Sequence, residues 1–479
     1  MPDASFPGVF IEEMSRREPA IEGVPTDVVA LIGDCARGPS PTDDAPAPIV
    51  TSPHEFARRF ETPGDHLTIL GDAVRAFFEN GGRRCHVVRI ARPGSAAARA
   101  SVLGGTPFLA VARGAGDWGN ALTVTITPGA EAAAVDAIVT DATTGVVEHW
   151  TGIPPTALAA TINERSELIR VEAATDLDPP PAPTGVPIPL VGGLDGEAPD
   201  DGAMIAAIGH LARLDDVMLI AAPGATSPAV HAALARGAES MRGLAILDGE
   251  RDPSMPDPVA SILAHRSTVT STCAAYYAPW IEATPAPGPA GPTRTLPPSG
   301  FVAGIIARVH GERGVGKSPA NEIVRGAAAL HLDITAAMQE RLNPAGVNCI
   351  RVLPGRGIRV WGARTTSGDP EWRFLGPRCL ALFLERSIDR GVRWAVFEPH
   401  VPATWARLRA AVESFLLSVW RSGDLLGARP EEAFFVRCDA STMTDDDVRR
   451  GRLIAHVGVA TTTPAEFVVL RFDWPMASG

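Results

Sequence analysis

Lysine is all but missing from this 479-residue sequence: Lys317 is the only one, and arginine carries the rest of the positive side-chain charge. A GC-rich genome, which favours arginine codons, accounts for that bias without functional meaning. An excess of positive charge is missing too. The formal net charge is −12, which argues against a nucleic-acid surface, because phosphate binding needs clustered cations. Aromatic residues are sparse at 6%. No apolar run approaches the ~20 residues that cross a bilayer, so no direct membrane insertion is expected. The opening Met1-Pro2-Asp3-Ala4-Ser5-Phe6-Pro7-Gly8 has neither the basic start nor the apolar stretch of a secretory signal. The protein is therefore expected to be made and kept in the cytoplasm until something larger releases it. The six cysteines, Cys35, Cys85, Cys273, Cys349, Cys379 and Cys438, form no CxxC pair. They read as reduced, mostly buried thiols. None of the eleven histidines falls in an HExxH or other metal spacing. No metal, no cofactor and no catalytic Ser/His/Asp or Cys/His set is expected.

What is present is a chain too long for one hydrophobic core, with two to four domains expected. Its 47 glycines and 44 prolines favour many turns and short strands over a long helical bundle. Val9-Phe10-Ile11-Glu12-Glu13-Met14 is a short β-prone run after Pro7-Gly8, and Ser15-Arg16-Arg17-Glu18-Pro19 reads as a connector. Val28 to Gly33 is continuously apolar, as a buried strand is. Leu67 to Asn80 has helical spacing closed by Gly81-Gly82, and Cys85 to Ile90 is the next strand. Between about Ala96 and Leu190 the texture changes to alternating strands (Leu122 to Ile126, Ala137 to Thr140, Gly145 to Trp150), ending at the proline run 179–183. Val217 to Ala221 and Leu244 to Asp248 flank a helical segment from Ala229 to Arg242, which predicts a βαβ unit with parallel strands. In the last quarter, helices are expected at Arg378 to Arg390 and Trp405 to Arg421. Strands are expected at Arg393 to Phe397, Ala433 to Cys438, Leu453 to Ala460 and Ala465 to Phe472.

One motif points to an enzyme. Gly311-Glu312-Arg313-Gly314-Val315-Gly316-Lys317-Ser318 fits GxxxxGK[ST], in which backbone amides cradle phosphates, the lysine neutralises them and the hydroxyl reaches magnesium. Leu244 to Asp248 resembles the apolar strand whose terminal Asp holds the metal. The pattern requires a buried strand before the loop and a helix opening at Lys317-Ser318. Yet Pro319 biases Ser318 away from helical angles, and Asp248 lies upstream of the loop where the usual order puts it downstream. Weaker constellations are the triplet Asp445-Asp446-Asp447, expected to be solvated first-turn charges favouring a helix dipole, and Trp361 and Trp372 among arginines, expected to pack rather than bind a ligand.

Several segments together resemble the contractile tail sheath protein family of phages and phage-tail-like injection systems. They are Pro7-Gly8-Val9-Phe10-Ile11-Glu12-Glu13 with Ala20-Ile21-Glu22-Gly23-Val24, then Asp117-Trp118-Gly119-Asn120, Gly192 to Gly196 and Pro297-Pro298-Ser299-Gly300. The C-terminal set is Arg351 to Gly357, Val360 to Thr365, Asp369 to Arg373, Phe397-Glu398-Pro399, Pro430 to Val436 and Pro464 to Val468. The likeness spans nearly the whole chain and is loosest at 96–190. It also covers the phosphate-loop match: where sheath proteins carry Arg-Gly-Val-Trp-Lys-Ala-Pro-Ala-Asn, this chain has Arg313-Gly314-Val315-Gly316-Lys317-Ser318-Pro319-Ala320-Asn321. Gly316 stands for the tryptophan and Ser318 for the alanine, and those two departures create the nucleotide pattern.

The expectation is a mixed α/β, α+β multidomain protein with a tail-sheath-like core. Its parts are a linking arm at 1–22, a core at 23–95 resuming at 191–345, an inserted β-rich outer domain at 96–190, and a C-terminal α+β layer at 346–479. The resemblance implies a structural, non-enzymatic subunit that forms stacked hexameric rings around an inner tube protein, contracts, and meets baseplate and terminal cap proteins in a particle that lysis can release. Residues Val9, Phe10, Ile11, Glu12 and Glu13 are expected to pair, across copies, with the strand holding Phe467, Val468, Val469, Leu470, Arg471 and Phe472. The alternatives are a phosphate-loop NTPase using Gly311 to Ser318, and a non-contractile tube or baseplate component.

Overall fold

The computed structural model describes residues 20–41, 46–62, 68–102, 108–131, 134–173, 185–284, 293–461 and 468–476. They form two compact units, one from Pro25 to Leu382 and one joining Met1–Val24 to Phe383–Gly479. The mixed α/β multidomain class expected from the sequence is the one found.

The larger unit is built on an eight-stranded sheet in the order Gly357–Val360, Val347–Leu353, Ala274–Ala278, Leu244–Asp248, Leu219–Ala221, Val29–Gly33, Cys85–Arg89, Ile49–Val50. All neighbours pair in parallel except the two outermost strands, which are antiparallel. The continuous apolar runs follow from this layout. Strands such as Val29–Gly33 and Leu244–Asp248 are buried at every residue, as strands covered on both faces must be. Helices over the sheet begin at clear signals: Thr68 caps Ile69–Glu79, Ser227 caps Pro228–Ser240, and Asp257 caps Pro258–Arg266. The long helix Ser299–Arg313 is buried over most of its length. It lies so close to Ile69–Glu79 that a Cβ on Gly304 would fall 2.3 Å from the Phe77 carbonyl oxygen, so only glycine fits there.

Within the same unit, residues 96–190 carry their own core, running from Ala98 and Ala100 through Leu122, Ile126 and Val139 to Leu190. It is enclosed by one four-stranded and one three-stranded antiparallel sheet. The chain enters and leaves at one place, since Ala96 bridges Leu194 and Arg99 bridges Val191. A fully buried ion pair joins Arg37, in the loop after Val29–Gly33, to Asp141 of this segment, and the same guanidinium lies 5.0 Å over the Trp118 ring.

The smaller unit has a three-stranded antiparallel sheet, Phe434–Arg437, Arg452–Val459 and Val468–Pro475, with Arg452–Val459 in the middle. Helix Pro402–Arg421 places Leu408, Val412, Phe415, Leu416 and Val419 in its core, as the spacing predicts. Ile21 and Val24 are buried here. The Val24 N–H donates to Ser387 Oγ at 3.1 Å, and Gly23 lies against the Phe383 ring.

Three placements differ from the sequence expectation. Arg393–Phe397 is a 3-10 turn, not a strand: it follows a helix directly and is held by local bonds, Ala395 N–H to Val392 O and Glu398 N–H to Ala395 O. A five-residue apolar run has no intrinsic choice between the two. The last strand runs on to Pro475, three residues beyond the expected end, while Ala465 to Phe467, where it was expected to begin, lie outside the described residues. Val347–Leu353 and Gly357–Val360, assigned by sequence to the C-terminal layer, lie in the large sheet, and the unit boundary falls inside the Leu375–Gly391 helix. The hairpin turn at Pro354 to Arg356 marks a strand pair, not a domain boundary.

Candidate assembly interface

Of the residues expected to exchange strands, Val9, Phe10, Ile11, Glu12, Glu13 and Phe467 lie outside the described residues. Val468 to Phe472 are together in the last strand, which alternates strictly. Val468, Leu470, Phe472 and Trp474 are buried, while Val469, Arg471, Asp473 and Pro475 face out. The buried set packs beside Leu453, Ala455, Val457 and Val459. The Phe472 and Trp474 rings stack at 5.1 Å, and the Trp474 N–H donates to Asp389 Oδ1 at 3.2 Å.

The backbone direction of this strand follows from its register. Met476 N–H donates to Gly451 O at 2.6 Å, continuing the pairing of Arg452–Val459 with Val468–Pro475. Hydrogen-bonded pairs recur every second residue in an antiparallel ladder. Trp474, Phe472, Leu470 and Val468 therefore bond inward, and the N–H and C=O groups of Val469, Arg471 and Asp473 point to the free side. Pro475, which has no N–H, also falls on the free side, where proline is tolerated. Among the described residues no strand covers this edge. Val469 is 52% exposed beside it. Asp473 forms an ion pair with Arg452, and hydrogen bonding to Thr444 holds the Asp447 carboxyl below the usual carboxylate range. That last contact is the capping box of the short helix Asp445–Arg449, so the acidic triplet occupies a first helical turn.

The large sheet is closed at both ends. One end strand, Ile49–Val50, is two residues long. The other, Gly357–Val360, is covered by the chain itself: Asn321 N–H donates to Val360 O at 2.7 Å, Val360 N–H to Glu322 O at 3.0 Å, and Val324 N–H to Ile358 O at 2.9 Å. Asn321 adopts φ 64°, a left-handed conformation that asparagine accepts better than most residues. Its Oδ1 accepts from Arg356 and its carbonyl from Arg359. This edge cover follows directly on the phosphate-loop match, and sequence reasoning missed it because pairing across thirty residues leaves no local periodicity.

The phosphate-loop match itself has neither required flank. Gly311, Glu312 and Arg313 are the last turn of the helix Ser299–Arg313, Gly314 turns the chain at φ 91°, and no helix opens at Lys317-Ser318. Gly316 is buried with its carbonyl against Gly376, where a Cβ would come within 2.4 Å. Asp248 is fully occupied: its Oδ2 accepts from Gly224 N–H at 2.9 Å and Ser299 Oγ at 2.8 Å, and its Oδ1 from Ser299 N–H at 2.7 Å. Burial pushes its carboxyl up to about 6. The sheet's strand order reverses between Val29–Gly33 and Leu219–Ala221, the place where open α/β sheets bind ligands. Here Leu70 packs against Gly33, and Ile69 and Trp280 lie beside Gly224. The Trp372 and Trp361 faces are occupied by Arg378 and Arg356. All six cysteines are free and buried. No helix among the described residues is long and apolar enough to cross a membrane.

Among the described residues no strand lies on the outer edge of Val468–Pro475, and the proteins this chain resembles are sheath proteins. Residues 203–366 match the phage tail sheath protein central domain. A putative prophage major tail sheath protein of Pseudomonas aeruginosa (strain UCBPP-PA14) is 26% identical over 261 residues, 52% of this chain and 62% of that protein, so the match spans less than two thirds of the relative's length. The sheath of the extracellular contractile injection system PVC, solved in its contracted state, has the same fold at 24% identity with a TM-score of 0.61, over 98% of this chain and 97% of the other. The sheath tail protein of Listeria innocua matches with a TM-score of 0.66 at 12% identity, over 96% and 97% of the two chains. Residues 203–366 thus resemble the central domain of phage tail sheath proteins, and the chain shares its fold with solved sheath proteins.

Proposed function

We propose that this chain is the structural sheath subunit of a contractile injection particle. It forms hexameric rings stacked around an inner tube, meets a baseplate and a terminal cap, and contracts to drive the tube through a target envelope. The observation that carries the reading is the free edge of Val468–Pro475, where the outward N–H and C=O groups at Val469, Arg471 and Asp473 have no neighbouring strand among the described residues. Residues Val9 to Glu13 of a second copy fit that edge as an added strand. Each added strand contributes a few hydrogen bonds at roughly 0.5–1.5 kcal/mol apiece, repeated along the lattice. Contraction then draws on the difference between two packings of one polymer and requires no nucleotide. Residues 96–190, self-contained and joined at one place, are the outward domain that assembly tolerates losing.

Electron microscopy of three proteins tests this. The parent should form tubes, and a chain lacking residues 1–20 should remain folded, with unchanged circular dichroism, but form none. A chain with 96–190 replaced by a Gly/Ser linker should still assemble. Normal tubes from the arm-deleted protein would refute strand exchange. Rings without a second, contracted lattice would point to a tube or baseplate component instead.

A further inference from the structure

Charge is distributed unevenly along the large sheet. At one end, the antiparallel pair Val347–Leu353 and Gly357–Val360 sets Arg351 directly opposite Arg359. Like charges facing each other on one side of a sheet cost stability. Arg356, in the turn between the two strands, adds a third cation, and its carbonyl accepts from Arg359 Nε at 2.9 Å. None of the three forms an ion pair among the described residues. Their N–H groups donate to neutral oxygens instead: Arg351 to Ile334 O at 2.8 Å, Arg356 to Asn321 Oδ1 at 2.8 Å, and Arg359 also to Asn321 O at 2.7 Å. A guanidinium carries five N–H donors, so most of those in this row are unspent. The backbone edge here is already sealed by Asn321 to Val324, which leaves side chains, not an added strand, to hold a partner.

The other end of the sheet is acidic. No lysine or arginine occurs between Arg170 and Arg213, and Asp195, Glu197, Asp200 and Asp201 fall close together in that stretch. They sit just beyond the end of Cys85–Arg89, where Glu197 N–H donates to Pro93 O at 2.9 Å. Glu197, Asp200 and Asp201 are exposed and form no ion pair among the described residues. Asp200 caps the Ala203 N–H at 2.7 Å, and Asp201 accepts from the Ser227 hydroxyl. Gly357–Val360 and Cys85–Arg89 are six strand spacings apart, about 29 Å. That is about three Debye lengths at 0.1 M salt, so neither end neutralises the other within one subunit. Both ends lie at the same rim of the sheet, past the C-terminal ends of parallel strands.

We propose that the arginine row of one copy seats the acidic segment of a second copy, with Glu197, Asp200 and Asp201 lying against Arg351, Arg356 and Arg359. The contact is head to tail along the sheet. Contacts of this kind close into rings or continue as a helix, depending on the rotation between copies. The formal charge of −12 disfavours a nucleic acid as the occupant. The proposal rests on reading the chain as a self-assembling sheath subunit, but not on strand exchange at Val468–Pro475.

Two variants of the full chain test the contact. One is Arg351→Glu with Arg356→Glu. The other is Glu197→Arg with Asp201→Arg, which keeps the Asp200 cap. Each alone should pellet as polymer about tenfold less than the parent, with unchanged circular dichroism. The unfolding midpoint of the first should hold or rise, because like charges no longer face each other. Mixed in equal amounts the two should assemble, since reversed row meets reversed segment and native row meets native segment at alternate contacts. Normal polymer from either variant alone would overturn the proposal. So would a mixture of two folded variants that stays dispersed, which would leave the row to a different anionic partner. If a variant does not fold, the parent decides: its polymer should decline as salt rises from about 0.05 M to about 0.5 M, and indifference to salt would overturn the contact. A parent that forms no polymer at any salt refutes the sheath reading itself, whereas a parent that assembles while the mixture fails removes only the charge contact.

Discussion

The two units each contain a sheet, and the sheets handle their edges in opposite ways. In the large sheet, one boundary strand is cut to two residues and the other is sealed by Asn321 to Val324 of the same chain. In the small sheet, an eight-residue strand with an apolar inner face ends on nothing among the described residues. A long uncovered edge is an aggregation hazard that single-chain proteins remove. Among the described residues the large sheet is thus closed and the small one is not, and the proposed function assigns that open edge a strand from another copy.

The sharpest way to break this contrast is to place proline on either side of one strand. Val469→Pro and Arg471→Pro remove outward N–H groups only, and should abolish tubes in electron micrographs while the thermal unfolding of the subunit barely moves. Leu470→Pro, one residue away, removes an inward bond to Val457 and should destabilise the fold itself by about 3 kcal/mol or more. Tubes from Val469→Pro and Arg471→Pro would show that the edge is not the assembly site.

The closed unit should also be the acid-sensitive one. His231, 1% exposed on the helix Pro228–Ser240, has its imidazole pushed down to about 4 by burial and then by the neighbouring His265. A buried imidazole with a depressed folded-state value stabilises the fold fully above the ordinary histidine value near 6.5, and that stability is lost as pH falls through about 4. Chemical denaturation between pH 7 and pH 4 should show a loss of up to about 3 kcal/mol from this group. His231→Phe should flatten that part of the profile.

A smaller effect is expected at the seal. Asn321→Val forces a β-branched residue into φ 64° and removes the Oδ1 that holds Arg356. It should cost about 1–3 kcal/mol in urea unfolding. It should also raise light scattering as the Gly357–Val360 edge comes free. The smallest effect is expected at Lys317, exposed in a turn with no phosphate cradle around it. Lys317→Ala should shift stability by less than about 0.5 kcal/mol, and calorimetry with ATP or GTP and magnesium should give no heat beyond dilution in either protein. Micromolar binding lost in Lys317→Ala would reopen the nucleotide reading.

Much of this was written in local pattern. The apolar runs at Val29–Gly33 and Leu244–Asp248, the helical stripe of Pro402–Arg421 and the period-two alternation around Val468 to Phe472 each depend on neighbours within a few residues. Burial selects those side chains directly, so the sequence by itself determined the elements, their buried faces and the separate core of 96–190. It also determined the likeness to tail sheath proteins, which is carried by contiguous motifs. The tertiary structure alone decided which edges are open. Asn321 to Val324 seal a strand more than thirty residues away, the run Arg393–Phe397 becomes a turn because no strand lies alongside it, and GxxxxGK[ST] spans a helix end because Ser299–Arg313 anchors on Asp248 from a distant strand. Hydrogen-bond partners that are far apart in the chain leave no periodic trace in it. Edge, turn and loop identities are therefore properties of the folded arrangement and not of any segment.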